Sequence, residues 1–191
     1  WGAHQVVGGF VQGATVMSET MSQYSVLMVM EKEYGREKMR RFLKYELDNY
    51  LSSRGGKLIE ELPLMRVEGQ GYIHYRKGSL VMYALRDYLG EEVLNGALKR
   101  YVAATAFHEP PYTYSREFVD FIAEVVPEGQ EHLIEDLFET ITLYDNRTEP
   151  AVAQPLDDGL YSVRVTVVAH KFRADGQGAE TEIPIDDWID V

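Results

Sequence analysis

Two residues in this chain pair a reactive side chain with a neighbourhood suited to chemistry. Glu19 lies in Thr15-Val16-Met17-Ser18-Glu19-Thr20-Met21, a carboxylate set at the head of a largely apolar helical stretch. In a first helical turn it complements the positive end of the helix dipole. It can equally serve as an oxygen ligand to a metal. Tyr75 lies in His74-Tyr75-Arg76-Lys77-Gly78, at the head of another expected helix. A phenol is a neutral donor able to meet negative charge as it develops in a transition state. It is also an ordinary packing residue, and the chain holds 13 tyrosines. The residues alone leave both roles open at each position.

Other chemistries find no footing. His108-Glu109-Pro110-Pro111-Tyr112 begins like His-Glu-x-x-His, but position 112 is Tyr and two prolines bar the helix that would bring both ligands to one face. His4, His74, His132 and His170 show no ligand spacing among themselves, and each is read as structural; His74 is also placed to orient Tyr75 or touch a substrate. Gly8-Gly9 and Gly55-Gly56 lack the context of a phosphate loop, and no Gly-x-Ser-x-Gly elbow occurs. The absence of cysteine excludes disulfides and thiolate zinc sites. A net charge of −12 argues against a nucleic-acid surface. The basic residues of Arg36–Lys44, with Glu37 and Glu46 interleaved, read as a solvated helix face. The longest strongly apolar run, Val26–Met30, is far short of the ~20 residues that cross a bilayer.

The elements that must position Glu19 and Tyr75 follow from periodicity. Residues 1–14 read as irregular. A helix from about Thr15–Ser18 to Tyr34, closed by Gly35 as a left-handed terminator, is apolar on nearly every side and is expected to be centrally buried. Met39, Phe42, Leu43, Leu47, Tyr50 and Leu51 mark a second helix over about Arg36–Ser53, stopped by Arg54-Gly55-Gly56. Further helices are expected at roughly Tyr75–Leu89, Glu92–Ala103, from an N-cap at Ser115, and over Gln130–Ile141. The period then changes to two: Tyr161, Val163, Val165, Val167 and Ala169 alternate with polar residues, predicting a strand with one buried face. Ala174–Gly178 turns it back on Glu180–Ile185. Two strands alone are marginal in water, so Thr142–Gln154 is expected to add a strand or the β region to be larger. The fold class is therefore α+β, with a helical domain over 1–141 and the start of a β-sandwich-like domain over 142–191.

Trp1-Gly2-Ala3-His4-Gln5, the run Gln12-Gly13-Ala14-Thr15-Val16-Met17-Ser18-Glu19-Thr20 and His74-Tyr75-Arg76-Lys77-Gly78 together resemble the aminopeptidase N family of zinc peptidases. The resemblance covers about residues 1–146. It implies the mostly helical C-terminal lobe of a thermolysin-like peptidase domain, joined just after the family's His-Glu-x-x-His helix. Glu19 matches the third zinc ligand, although Ser18-Glu19-Thr20 departs from the commoner Asn-Glu-Gly form. Tyr75 matches the tyrosine that donates its phenol proton to the oxyanion. The two histidines and the general-base glutamate are expected before Trp1, so the chain alone is expected to be inactive and without bound Zn2+. The implied reaction removes N-terminal residues from peptides, with zinc lowering the pKa of a water. The same stretches, with Asp187-Trp188-Ile189-Asp190, resemble a bacterial subgroup associated with membrane permease segments. That implies a membrane-associated parent with this portion soluble. The upstream zinc-helix segment would be a partner, and its loss would leave apolar surface near residues 1–30 that favours self-association. The rival expectation is a non-catalytic helical interaction module of a transporter-associated protein.

Overall fold

The first expected helix opens with a π-helical turn, Val16–Thr20, and continues as α1, Met21–Tyr34. It ends at Gly35, whose φ of 84° and ψ of 154° differ from the expected left-handed terminator. That positive φ with extended ψ lets α2, Arg36–Gly56, start at once. Central burial on all sides does not hold. Met21, Tyr24 and Leu27 are buried, while Val26 and Val29 are 46% and 68% exposed. Hydrophobicity told the composition of that helix but not which faces meet neighbours. α2 runs through Arg54-Gly55-Gly56, which were expected to stop it. Its buried positions are Met39, Glu46 and Tyr50, whereas Leu47 and Leu51 face outward.

The computed structural model describes residues 6–56 and 59–188; Trp1–Gln5, including the expected His4 and the Trp-Gly pair, and Ile189-Asp190 of the C-terminal stretch lie outside them. A 3-10 turn, Leu64–Arg66, leads to a second π-helical segment, Tyr72–Lys77, which passes directly into α3, Gly78–Leu89. This helix begins a turn earlier than its expected start at Tyr75. After it come α4, Glu91–Thr105, and α5, Ser115–Ala123. Ser115 is inside α5, not its cap, and its hydroxyl donates to Met65 O at 2.7 Å. The last helix is a short α6, His132–Ile134, prolonged by a π segment, Glu135–Glu139. Met17, Met82, Leu94, Tyr101, Phe118 and Phe138 are fully buried and form the core of this helical unit. Residues 107–114 contain no helix, so His108-Glu109 sits in a loop.

The chain divides into two units, Trp1–Ile141 and Thr142–Val191. The architecture is α+β. β1, Ile141–Thr148, which leads into the second unit, forms one sheet with β4, Val167–Ala174, and β5, Glu180–Ile183, in the order β1-β4-β5. β2, Val152–Pro155, and β3, Tyr161–Arg164, form a separate antiparallel pair with Ala153 opposite Val163. The alternation over 160–170 is thus not one strand. It breaks at Val165-Thr166 and serves two different sheets, and all of β3 is exposed. β4 pairs antiparallel with β5, with Phe172 opposite Glu182, through the turn near Asp175.

Candidate functional site

Glu19 and Tyr75, 56 positions apart, meet: the Tyr75 phenol donates to Glu19 Oε2 at 2.5 Å. Each sits on a π-helical segment, a distortion in which one extra residue per turn re-aims side chains and which recurs at functional sites. The segments are held together from beneath. Thr20, fully buried, donates from Oγ1 to His74 O at 2.6 Å. Gly78 lies against the same threonine so closely that a Cβ there would fall 2.4 Å from Thr20 Oγ1. Only glycine permits this approach, and the residues flanking the pair in sequence, Thr20 and Gly78, are those that set it.

The start of the Glu19 segment is anchored too. Thr15 Oγ1 donates to Val67 O at 3.1 Å, and Ser115 N donates to Gln12 O at 3.0 Å. Gly13 has a φ of 69°, and a Cβ on it would lie 2.3 Å from the Ser115 Cβ. The glycine thus serves both the left-handed turn and the close packing of α5.

Successive residues of the second segment face different partners. His74 is buried, packs edge-on against the Tyr75 ring at 4.6 Å, and leaves Nδ1 without a hydrogen-bond partner among the described residues. Burial holds its imidazole below the usual range, opposed by the negative charge of Glu19. Tyr75 is 37% exposed. Arg76 donates to the buried Glu46 of α2 at 2.9 Å, and Gln23 Nε2 reaches the same carboxylate at 3.0 Å. Lys77 is buried 3.8 Å from Glu61, which also accepts Tyr50 Oη at 2.5 Å and Arg54 Nε at 2.6 Å. Burial pushes the Lys77 ammonium down to about 8.

Chemically, the exposed pair is a carboxylate with a phenol poised over one of its oxygens. The hydrogen bond to Glu19, then burial, pushes the Tyr75 phenol up, so the proton stays on oxygen at neutral pH. Tyr75 is therefore a neutral donor. Among the described residues no group of three metal-ligating side chains includes Glu19. The site offers a metal one carboxylate, and a closed donor set needs more.

Of the expected site residues, the structure brings Glu19 and Tyr75 together with His74 beside them, and leaves His170 elsewhere, paired with Glu182 at 2.7 Å. The sequence assigns no role to Thr20, Gly78, Glu46, Glu61 or Lys77, although Thr20, Lys77 and Gly78 lie within the motifs around the two candidates. The signal for the first two was the small residue that follows each candidate closely in sequence. The carboxylates at 46 and 61 carried no comparable sign. No known protein family, curated protein or solved structure matches the chain.

Proposed function

We propose that this chain is the helical lobe of a zinc-dependent aminopeptidase, contributing Glu19 as one metal ligand and Tyr75 as proton donor. The observation that carries the reading is the 2.5 Å contact between two side chains 56 residues apart, on facing π-helical segments. A thermolysin-like origin for the helical unit belongs to the same proposal. Bound zinc would supply a Lewis acid and an activated water.

The residues of this chain do the rest of what it offers. Glu19 Oε1 has no hydrogen bond among the described residues, which leaves an oxygen free to coordinate while Oε2 holds the phenol. Tyr75 keeps its proton near neutral pH and presents it where charge develops on a peptide carbonyl. A donor that strengthens as charge grows favours the transition state over the substrate. Thr20 and Gly78 fix the distance between the two side chains. The two histidines and the general base belong, in this reading, to a segment outside the chain, so the chain alone is inactive. The parent is membrane-associated and bacterial in the same reading. No helix among the described residues is long and apolar enough to cross a membrane.

The test extends the chain with the sequence that precedes Trp1 in its gene and measures zinc content and release of N-terminal residues from peptides. Zinc binding lost in Glu19→Ala, with turnover lost in Tyr75→Phe at unchanged zinc content, is the expected result. Normal turnover by Tyr75→Phe removes the mechanism. An upstream sequence without His-Glu-x-x-His turns the assignment to a non-catalytic interaction module. The isolated chain is expected to self-associate through exposed apolar residues of its first 30, among them Phe10 and Val29. A single monomeric species across concentrations in sedimentation would refute that.

A further inference from the structure

α2 carries two rows that run side by side. Met39, Leu43 and Leu47 recur at every fourth residue, and so do Arg36, Arg40 and Lys44. The apolar row forms the floor of a groove of about 820 Å³ whose opposite wall is Leu80, Tyr83 and Ala84 of α3. Leu47 is exposed on this floor despite its size, while Met39 is buried at the base. The basic row follows one rim. Between positions 36 and 44 five cations stand against a single carboxylate, on a chain whose net charge is −12.

The rim cations are lightly held. Arg36 pairs with Asp87 at 2.7 Å and Lys44 with Asp48 at 2.6 Å, all four side chains well exposed. Exposed pairs of this kind contribute little and exchange readily for another anion. Arg40 forms no ion pair among the described residues.

We infer that this groove docks an amphipathic helix of a partner protein, apolar anchors on the floor and acidic residues along the Arg36–Lys44 rim. Three features select that occupant. Both walls are helices whose backbone groups are already paired internally, so they give an extended strand nothing to bond. A bound segment must satisfy its own backbone, which a helix does. The cations are spread along the length of the groove at ~6 Å intervals, the rise of four helical residues. That spacing matches carboxylates at every fourth position of a docked helix, whereas a single anionic head group would need cations at one end only. The groove is concave, which suits a helix laid between two others better than the surface of a bilayer.

The experiment uses the whole chain, isotope-labelled, and two synthetic helical peptides with the same leucine face, one flanked by glutamates and one by lysines. Resonance shifts confined to α2 and α3, with the glutamate peptide bound at least tenfold more tightly at low salt, are expected. Arg40→Glu should erase or reverse that preference. Leu47→Glu, at an exposed position that leaves the fold intact, should weaken both peptides. Equal affinity for the two peptides, or shifts outside the groove, overturns the proposal. So does adsorption to phosphatidylglycerol vesicles that depends on Arg40 and Leu47 in place of peptide binding, since it reassigns the surface to lipid. None of these outcomes depends on Glu19 or Tyr75.

Discussion

Tyrosine-to-glutamate hydrogen bonds recur in the helical unit, and two of them stand in contrasting surroundings. Tyr75 donates to Glu19 and Tyr50 donates to Glu61, each at 2.5 Å. The first pair is partly exposed, with His74 packed edge-on against the tyrosine ring, and neither of its side chains forms an ion pair among the described residues. The second is buried beside Arg54 and Lys77, and burial together with Glu61 pushes the Tyr50 phenol far up. The lesson is that geometry alone does not make a site. A buried carboxylate whose oxygens are already committed holds the fold, while an exposed one with a spare oxygen can change partners. The buried pair meets the Tyr72–Lys77 segment through Lys77 and the stacked ring of Tyr72, and so braces the backbone that carries Tyr75.

Removing the buried anion should have the largest effect. Glu61→Ala removes the carboxylate that faces the buried Lys77 ammonium and accepts from Arg54 Nε, and about 3–5 kcal/mol of stability should be lost in urea unfolding. A loss below 1 kcal/mol would abolish the contrast between the pairs. Lys77→Met should act in the opposite direction. The folded Lys77 holds its proton less tightly than an unfolded lysine, falling to about 8 from 10.5. Below pH 8 folding must bury a charge, at a cost of up to roughly 3 kcal/mol. Above that value the folded lysine is neutral, so wild-type stability should rise with pH towards 10.5 relative to Lys77→Met. Parallel stability curves for the two proteins from pH 7 to 10 would contradict this.

Gly78→Ala places a methyl group against Thr20 and should cost about 1–3 kcal/mol while spreading the two π-helical segments. Its telling readout is Tyr75, whose titration should move towards that of a free tyrosine as Glu19 withdraws. Glu19→Gln should change stability least, by under about 1 kcal/mol, as exposed charge contacts usually do. It should nonetheless lower the Tyr75 pKa, measured by phenolate absorbance, because the carboxylate is the main cause of its elevation.

How much of this was legible in the sequence depends on whether the signal was local. Helix ends at Gly35 and Gly90 are written in a residue type that accepts positive φ. Glu19 and Tyr75 meet across 56 positions, and the signal for that pairing lies only in the residues around each of them. The π-helical turns were illegible, because an inserted residue leaves apolar spacing almost unchanged while shifting where the helix starts. Glu46 looked like an outward residue of α2 and is buried, since its partner Arg76 is 30 positions away. Likewise the alternation across Val165-Thr166 told which residues favour strands but not that two sheets share them.

The π-helical turn at Val16–Thr20 has a further consequence for how this molecule tolerates change in length. Such a turn holds one residue more than an α-helical turn, and each residue of an α-helix accounts for about 100° of rotation. A single deletion ahead of Glu19 could be absorbed there with α1 still continuous, yet its carboxylate would swing away from the phenol. Helicity would survive and the pairing would not, so in this segment residue count, more than residue identity, fixes where the carboxylate points.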